Sequence, residues 1–430
     1  MSVVISQEQA RGGALAEGGV SPPRGGAWPG RPTQGAERVA PNALVRWAFY
    51  ASAFSIPFMC VYLPGTGERV GVLRLVQVLL LAAAVSQPRV CLRLAPLALI
   101  WFVVYCGVRI ISGLWLSPEL SGLWWPSTLD WLQFSLPWVW IIFNVLQFPR
   151  VRRPGLWSYV WGCSLCALLH VLGVGVSAVD NEMEEVRTTV FGENANVVGA
   201  TYAVGVIVLI GLGMFKNLKS ARRLLLVPLI ALVGFGAAKT GSRTALLLIG
   251  MGVVVLLFQA ESFSARAKRY ASLVLVGAVL AGIVWQVPTV WARFNDLDPH
   301  NLGQDNPRAR MAPVLWEIFL RSPIYGSGPD QYQFELTRRA MPYLIRDQRT
   351  IAAHNLALLL LAETGAIGFL IFSAGLWEAL AAAWKARLTY CGYLPLALLV
   401  PFLVAAFVLS NPAPHHVFWF VIAYALAGAA

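Results

Sequence analysis

Apolar residues fill this chain in long blocks separated by short polar connectors. A helix that crosses a bilayer needs ~20 predominantly apolar residues. Blocks of about that length occupy residues 46–63, 70–87, 94–113, 131–148, 156–178, 197–215, 222–239, 244–260, 270–290, 354–384, 391–410 and 414–429. Alternating ten-residue segments, the mark of a membrane barrel, are missing, and a lipid-exposed backbone must satisfy its own hydrogen bonds, which leaves helices. The pattern therefore predicts an all-α polytopic membrane protein with about twelve transmembrane helices. The tenth block is long enough to tilt or to extend past the bilayer.

One polar stretch differs from the others. Between the ninth and tenth blocks lies a loop of roughly sixty residues, a length that usually signals function or a small domain. Arg308 to Arg321 has a helical pattern carrying Leu315, Ile318 and Phe319, and Pro323-Ile-Tyr-Gly326-Ser-Gly328-Pro329 then breaks the chain. A second helical stretch is expected from Gln331 to Met341. Residues 1–45 are rich in Gly, Pro, Ala and Arg, cannot bury a core, and are expected to form a disordered cytoplasmic tail. They do not read as a signal peptide, because the first apolar run starts only at Trp47. The expected organisation is a tail (1–45), spans one to nine (46–290), a helical periplasmic loop subdomain (291–353) and spans ten to twelve (354–430).

Composition agrees: 57% of residues are hydrophobic and 13% charged, against about 25% charged in soluble domains. The net charge of +12 is not a nucleic-acid signal, because much of it sits in one set of connectors. These are Gln87–Arg93, Pro149–Arg153, Lys216–Arg223, Arg266–Arg269 and Lys385–Arg387, and they alternate with neutral or acidic ones. Lys and Arg mark the cytoplasmic side, which places both termini inside. The opposite face, periplasmic in a double-membraned bacterium, holds Pro64–Arg69, Ser117–Asp130, Asp180–Asn196, Lys239–Arg243, Val290–Ala353 and Ser410–His415. Trp124-Trp125-Pro126 on that face is expected in an interfacial aromatic belt. The six cysteines lie in or beside apolar segments. Cys163 and Cys166 have redox spacing but fall inside a span, where packing is the expected role.

The unusual polar residues crowd the outer side. His354 closes the long loop and opens the tenth span, where a neutral imidazole could take a proton near pH 7. Arg243 lies in the turn Lys239-Thr-Gly-Ser242-Arg243-Thr244, where backbone N–H groups at a helix start and a guanidinium would favour an anion. An N-cap explains Ser242 there but not Arg243. Arg187 precedes Phe191-Gly-Glu-Asn-Ala-Asn196 and either binds or pairs with Glu182, Glu184 or Glu185. Arg74 and Arg109 lie inside apolar blocks about a turn from the outer face, where buried charge is costly and marks function unless the side chain snorkels. His415 and His416 share that face, and His170 reads as a satisfied core residue. No Asp/Glu/His spacing resembles a metal cage, and no cofactor is expected.

Three short motifs, in this order, resemble the O-antigen ligase and polymerase superfamily. Thr240-Gly-Ser-Arg243 resembles its Thr-x-Ser-Arg turn. Arg308-Ala-Arg310-Met-Ala-Pro-Val-Leu-Trp316-Glu-Ile-Phe319-Leu-Arg-Ser-Pro323-Ile-Tyr-Gly326-Ser-Gly328 resembles its outer-loop signature. His354-Asn355 followed by Glu363-Thr-Gly365 resembles its His-Asn/Ser…Glu-x-Gly motif. Ala312 stands where the family often has an aromatic, which leaves open whether Arg308 or Arg310 is the functional arginine.

The resemblance implies a GT-C-like membrane enzyme of the bacterial inner membrane with its active site facing the periplasm. It would join a glycan carried on undecaprenyl pyrophosphate to a hydroxyl of lipid A-core, without metal or nucleotide and with inversion. His354 would be the general base. Arg243, Arg308 or Arg310, Arg187 and Arg74 would hold the pyrophosphate, with Ser242, Asn355 and Glu363 in support. A glycan polymerase and a protein O-oligosaccharyltransferase remain alternatives within the family. Outside it, a transporter would place its polar groups at mid-membrane, whereas these lie at the outer surface. A non-catalytic glycolipid-binding subunit would need the arginines but not His354. Membrane lipids are expected neighbours and nucleic acid is not.

Overall fold

The computed structural model describes residues 39–62, 71–116, 121–179, 187–214, 220–258, 307–338, 355–408 and 415–430, with isolated positions 274, 277, 278 and 282. The chain is a mostly helical, polytopic membrane protein. Its helices are α1 (Ala43–Ser55), α2 (Val72–Val85), α3 (Leu97–Leu116) and α4, which joins Ser121–Asp130, a π-helical turn Trp131–Ser135 and Leu136–Leu146. Next come α5 (Pro149–Val171), α6 (Ala195–Met214), α7 (Ser220–Lys239) and α8 (Arg243–Leu257). Two loop helices, α9 (Pro307–Arg321) and α10 (Gln331–Arg338), precede α11 (Leu356–Ala386), α12 (Leu394–Val408) and α13 (His416–Ala429). Among the described residues, four helical stretches are long and apolar enough to cross a membrane: Leu97–Leu116, Trp124–Leu146, Ala195–Met214 and Leu356–Ala386. Of the expected ninth span, 270–290, only the four isolated positions are described, and they are helical.

Several boundaries differ from expectation, each for a local reason. The Asn42 side chain accepts a hydrogen bond from the Val45 N–H at 2.9 Å, an N-cap that starts α1 at Ala43, inside the stretch expected as tail. Residues 1–38 of that tail lie outside the described residues. α5 stops at Val171 rather than 178, because Gly173-Val-Gly175 turns the chain out of the helix. The valines beyond it form strand β1 (Val176–Val179), which pairs antiparallel with β2 (Arg187–Val190) in the register Val176↔Val190 and Val179↔Arg187. The fold is thus not purely α-helical: the same apolar run continues the helical block in sequence but forms a hairpin edge in space. α4 begins at Ser121, within the expected connector Ser117–Asp130. Pro126 is tolerated there because the bond it forfeits is to the Gly122 carbonyl, in the helix's first turn. Trp124 is fully buried against Gly113 of α3 and is not part of an interfacial belt, whereas Trp125 is exposed.

Helices that are apolar on every face belong inside the bundle. α13 is buried along Val417–Ala427 and packs on α4, α11 and α12; α6 is buried along Val197–Leu212 apart from Ala200 and packs on α7 and α8. Cys163 and Cys166 pack between α5 and α6, where the Tyr202 hydroxyl donates to Cys166 Sγ at 3.3 Å. Two of the basic connectors, Gln87–Arg93 and Pro149–Arg153, meet at one end. Arg93 donates to Gln147 at 2.5 Å, and Arg152 donates to the carbonyls of Leu146 at 2.6 Å and Ala427 at 3.1 Å and touches Cys391.

α11 is broken. Gly365 adopts φ 63°, ψ −166° inside it, which separates Leu356–Thr364 from Ala366–Ala386. The second piece alone is about 31 Å long at 1.5 Å per residue, enough to span the hydrocarbon core. This break, rather than one continuous helix, accommodates the excess length of the tenth block.

Candidate functional site

The break in α11 is where the long loop docks. After α9, Pro323 to Gly328 forms a loop whose backbone runs against Glu363–Ile367. Ser327 N–H donates to the Ala362 carbonyl at 2.9 Å and Gly328 N–H to the Glu363 carbonyl at 3.0 Å. In return, Ala366 N–H donates to the Pro323 carbonyl at 2.8 Å and Ile367 N–H to the Ile324 carbonyl at 3.3 Å. Gly326 and Gly365 face each other: a Cβ on Gly365 would run into the Ile324 carbonyl and the Gly326 amide, and one on Gly326 into the Glu363–Thr364 peptide. Both carry positive φ, 75° and 63°. Their lack of a side chain is thus required twice, by conformation and by contact. Beside this interlock, Met311, Leu315 and Ile318 of α9 and Tyr332 of α10 bury against Leu359 and Ala362. The loop helices and the first piece of α11 share one small core.

A buried ion cluster fastens the interlock to the bundle. Arg109 of α3, its side chain 11% exposed, donates to Glu363 Oε2 at 2.5 Å, and Glu363 itself is 2% exposed. The same guanidinium donates to Thr128 Oγ1 at 3.0 Å and to Ser127 Oγ at 3.4 Å, and reaches Asp330 Oδ2 at 3.5 Å. Glu363 Oε1 accepts the Asp330 N–H at 3.0 Å. Asp330 holds φ 60°, a conformation Asp tolerates at turns. Burial pushes its carboxyl above the usual carboxylate range, with Arg109 pulling the other way. Arg109 is therefore neither snorkelling nor open to a ligand anion: its charge is taken by two carboxylates. Glu363, expected in support, is its main partner. Asp330, Thr128 and Ser127 escaped the sequence reading, although a lone intramembrane arginine signals that a carboxylate must lie nearby.

A second cluster forms around the α7–α8 turn. Ser242 caps α8, accepting the Ala245 N–H at 3.3 Å, and its hydroxyl donates to Asn196 Oδ1 at 3.2 Å; Ser242 N–H in turn donates to Thr240 Oγ1 at 3.2 Å. Two of the N–H groups expected to face an anion are thus engaged within the turn. Arg243, the first residue of α8, is exposed. The β hairpin is bound to this turn. Thr188 Oγ1 donates to the Lys239 carbonyl at 2.8 Å and lies 3.0 Å from His170 Nε2, so the Arg187-bearing strand and the Arg243-bearing turn are neighbours. His170 is buried, and its Nδ1 finds no partner among the described residues.

Helix packing relates the two clusters. Gly199 of α6 sits against Ala245 and Gly252 of α8 against Ile207, so α6 and α8 run the same way. Gly211 meets Leu394, and Gly252 meets the Ala397 carbonyl, so α12 starts at their far end and runs back. Phe407, near the end of α12, thereby returns to about the height of Arg243. There the Asn355 side chain donates to the Phe407 carbonyl at 2.6 Å while accepting the Leu358 N–H at 3.0 Å as the cap of α11. The Arg243 turn and the start of α11 therefore share one end of the bundle.

The remaining expected residues stand as follows. Arg308 and Arg310 lie in the first turn of α9, directly before the buried Met311, with the backbone alone described. Arg187 occupies β2, again as backbone. His354 lies outside the described residues, next to the capping Asn355. Arg74 of α2, 46% exposed, pairs with Asp130 and lies over the Phe134 ring at 5.0 Å. It borders an open groove of about 510 Å³ on α4, apart from the Arg243 turn.

No curated protein matches this chain. Residues 228–373 match the family model described as O-antigen ligase. That segment contains Arg243, Arg308, Arg310, His354, Asn355 and Glu363, whereas Arg74, Arg109 and Arg187 precede it. Over that segment, 146 of its 430 residues, the chain is similar to the O-antigen ligase family, which supports membership of that superfamily.

Proposed function

We propose that the protein is an O-antigen ligase of the bacterial inner membrane. It moves a glycan from undecaprenyl pyrophosphate to a hydroxyl of lipid A-core at the periplasmic face. One observation carries this reading most: the interlock at Gly326 and Gly365 fixes α9, with Arg308 and Arg310 in its first turn, against the helix that directly follows His354 and Asn355. A base and an anion clamp are what this transfer needs, and the matched segment contains the residues proposed for both, His354 and Arg243 with Arg308 or Arg310.

In the proposed reaction, His354 takes the proton of the acceptor hydroxyl. The acceptor oxygen bonds to the anomeric carbon from the face opposite the phosphate. The bond from that carbon to the phosphate oxygen breaks, its electron pair stays on the leaving undecaprenyl pyrophosphate, and the configuration inverts. General-base catalysis of this kind contributes on the order of 10²–10⁴ in rate. Arg243, with Arg308 or Arg310 and with Arg187 beside it on β2, would neutralise charge growing on the pyrophosphate. A guanidinium does this without metal because it is permanently charged and bidentate. Arg74, expected in that clamp, is left out of this reading because Asp130 already pairs with it.

The test uses purified protein, undecaprenyl-pyrophosphate glycan and lipid A-core in EDTA. Wild type is expected to form product and His354→Ala to lose transfer while still binding donor. Product from both proteins would remove His354 from the chemistry. No product from wild type without metal would end the metal-independent reading, and product only with a free glycan acceptor would make the enzyme a polymerase. Arg243→Lys is expected to lower kcat/KM for the donor about tenfold or more, because a point charge cannot replace a fork. Full activity in that variant would refute the bidentate clamp.

A further inference from the structure

The groove beside Arg74 is built differently from an anion site. Arg74, Ser127, Asp130, Trp131, Gln133 and Phe134 line it. Arg74 and Asp130 are 46% and 28% exposed, so both charges of the pair reach the groove and cancel there. A pyrophosphate entering it would meet a carboxylate of its own sign and a guanidinium already committed. A neutral ligand with alternating donors and acceptors would meet the reverse: Asp130 accepts from hydroxyls, and Arg74 donates to them. Phe134 and the partly buried Trp131 add apolar surface to the groove wall, with the Arg74 guanidinium over the Phe134 ring at 5.0 Å. The wall itself is the π-helical turn Trp131–Ser135, an irregularity that within helices occurs frequently at functional sites.

We infer that this groove seats a sugar of the acceptor, and the inference rests on the ligase reading above. Two placements favour acceptor over donor. Every lining residue lies before residue 228, outside the segment that matches the family and carries Arg243, Arg308 and Arg310. The acceptor is also the substrate that differs among ligase, polymerase and protein glycosylase. Ser127 links the groove to the interlock, because its hydroxyl accepts from the same Arg109 guanidinium that holds Glu363. An acceptor in the groove would therefore lie one side chain away from the docked loop.

The experiment varies donor and acceptor separately with the full-length protein. Asp130→Asn is expected to raise the KM for lipid A-core about tenfold while the donor KM stays within twofold. The exposed Gln133→Ala, which tests the groove without touching a charge, is expected to raise the acceptor KM severalfold. An unchanged acceptor KM in both variants overturns the assignment. A lowered donor KM in Asp130→Asn overturns it in favour of a pyrophosphate site, since the repelling carboxylate is gone. A raised donor KM overturns it in favour of the donor's glycan. Saturation-transfer NMR with core oligosaccharide released from lipid A separates this idea from the ligase reading. Binding to wild type that Asp130→Asn loses, without any transfer, keeps the groove and rejects the ligase. Transfer with equal acceptor KM in all three proteins keeps the ligase and rejects the groove.

Discussion

Gly365→Ala is expected to yield a protein whose outer loop no longer docks. The added Cβ would sit in a conformation that L residues avoid, at roughly 1–3 kcal/mol. It would also run into the Ile324 carbonyl and the Gly326 amide, and overpacking costs about as much again. Neither neighbour is the end of a flexible side chain, so relief requires the two backbones to part. Parting breaks four backbone hydrogen bonds, those of Ser327, Gly328, Ala366 and Ile367, and the bond from the Ser327 hydroxyl to the Ala362 carbonyl. Limited trypsin digestion is the direct reading: cleavage at Arg321 and Arg338 should accelerate at least tenfold in the variant, with glycan transfer lost in parallel. Wild-type protease resistance and activity would show that the glycine contact is incidental.

Arg109→Ala is expected to be nearly as damaging, for an electrostatic reason. It leaves the Glu363 carboxylate buried without its cation, and breaking a buried pair from one side costs about 3–5 kcal/mol. The variant should melt well below wild type in detergent and lose transfer. The double variant Arg109→Met, Glu363→Leu separates pairing from packing. Replacing a buried pair by apolar residues is often neutral or stabilising, so the double variant should regain most of the lost melting temperature. Failure to regain it would mean that Arg109 matters through Thr128 and Asp330 and not through Glu363.

Much of this architecture was legible because lipid imposes a simple rule on sequence. Apolar blocks named the helices, and Leu315, Ile318 and the Pro323–Pro329 breaker placed α9 and its stop close to where they lie. What stayed hidden depends on partners distant in the chain. Nothing local to Gly365 says that α11 breaks there; Gly326 supplies the reason. Arg109 was conspicuous as a lone charge in an apolar block, but its assignment to Glu363 spans 254 residues. The hairpin was misread because Val174–Val179 is as apolar as a helix end, and periodicity over so few residues does not separate helix from strand. Trp124 looked interfacial by its neighbours and is buried by Gly113, a contact that no neighbouring residue discloses.

The break in α11 also redraws the unit in which this protein could be recombined. The short helix Leu356–Thr364 is continuous in sequence with the membrane segment, yet Leu359 and Ala362 pack into the small core of α9 and α10. A graft of 291–353 from a relative would sever that core and mismatch the two glycines. A graft spanning 307–365 would carry its own core and both glycines, and host and insert would have to agree on Arg109, the buried cation that pairs with Glu363. Loop exchange between members should therefore succeed or fail on whether the donor segment brings its Glu-x-Gly and the host keeps its arginine.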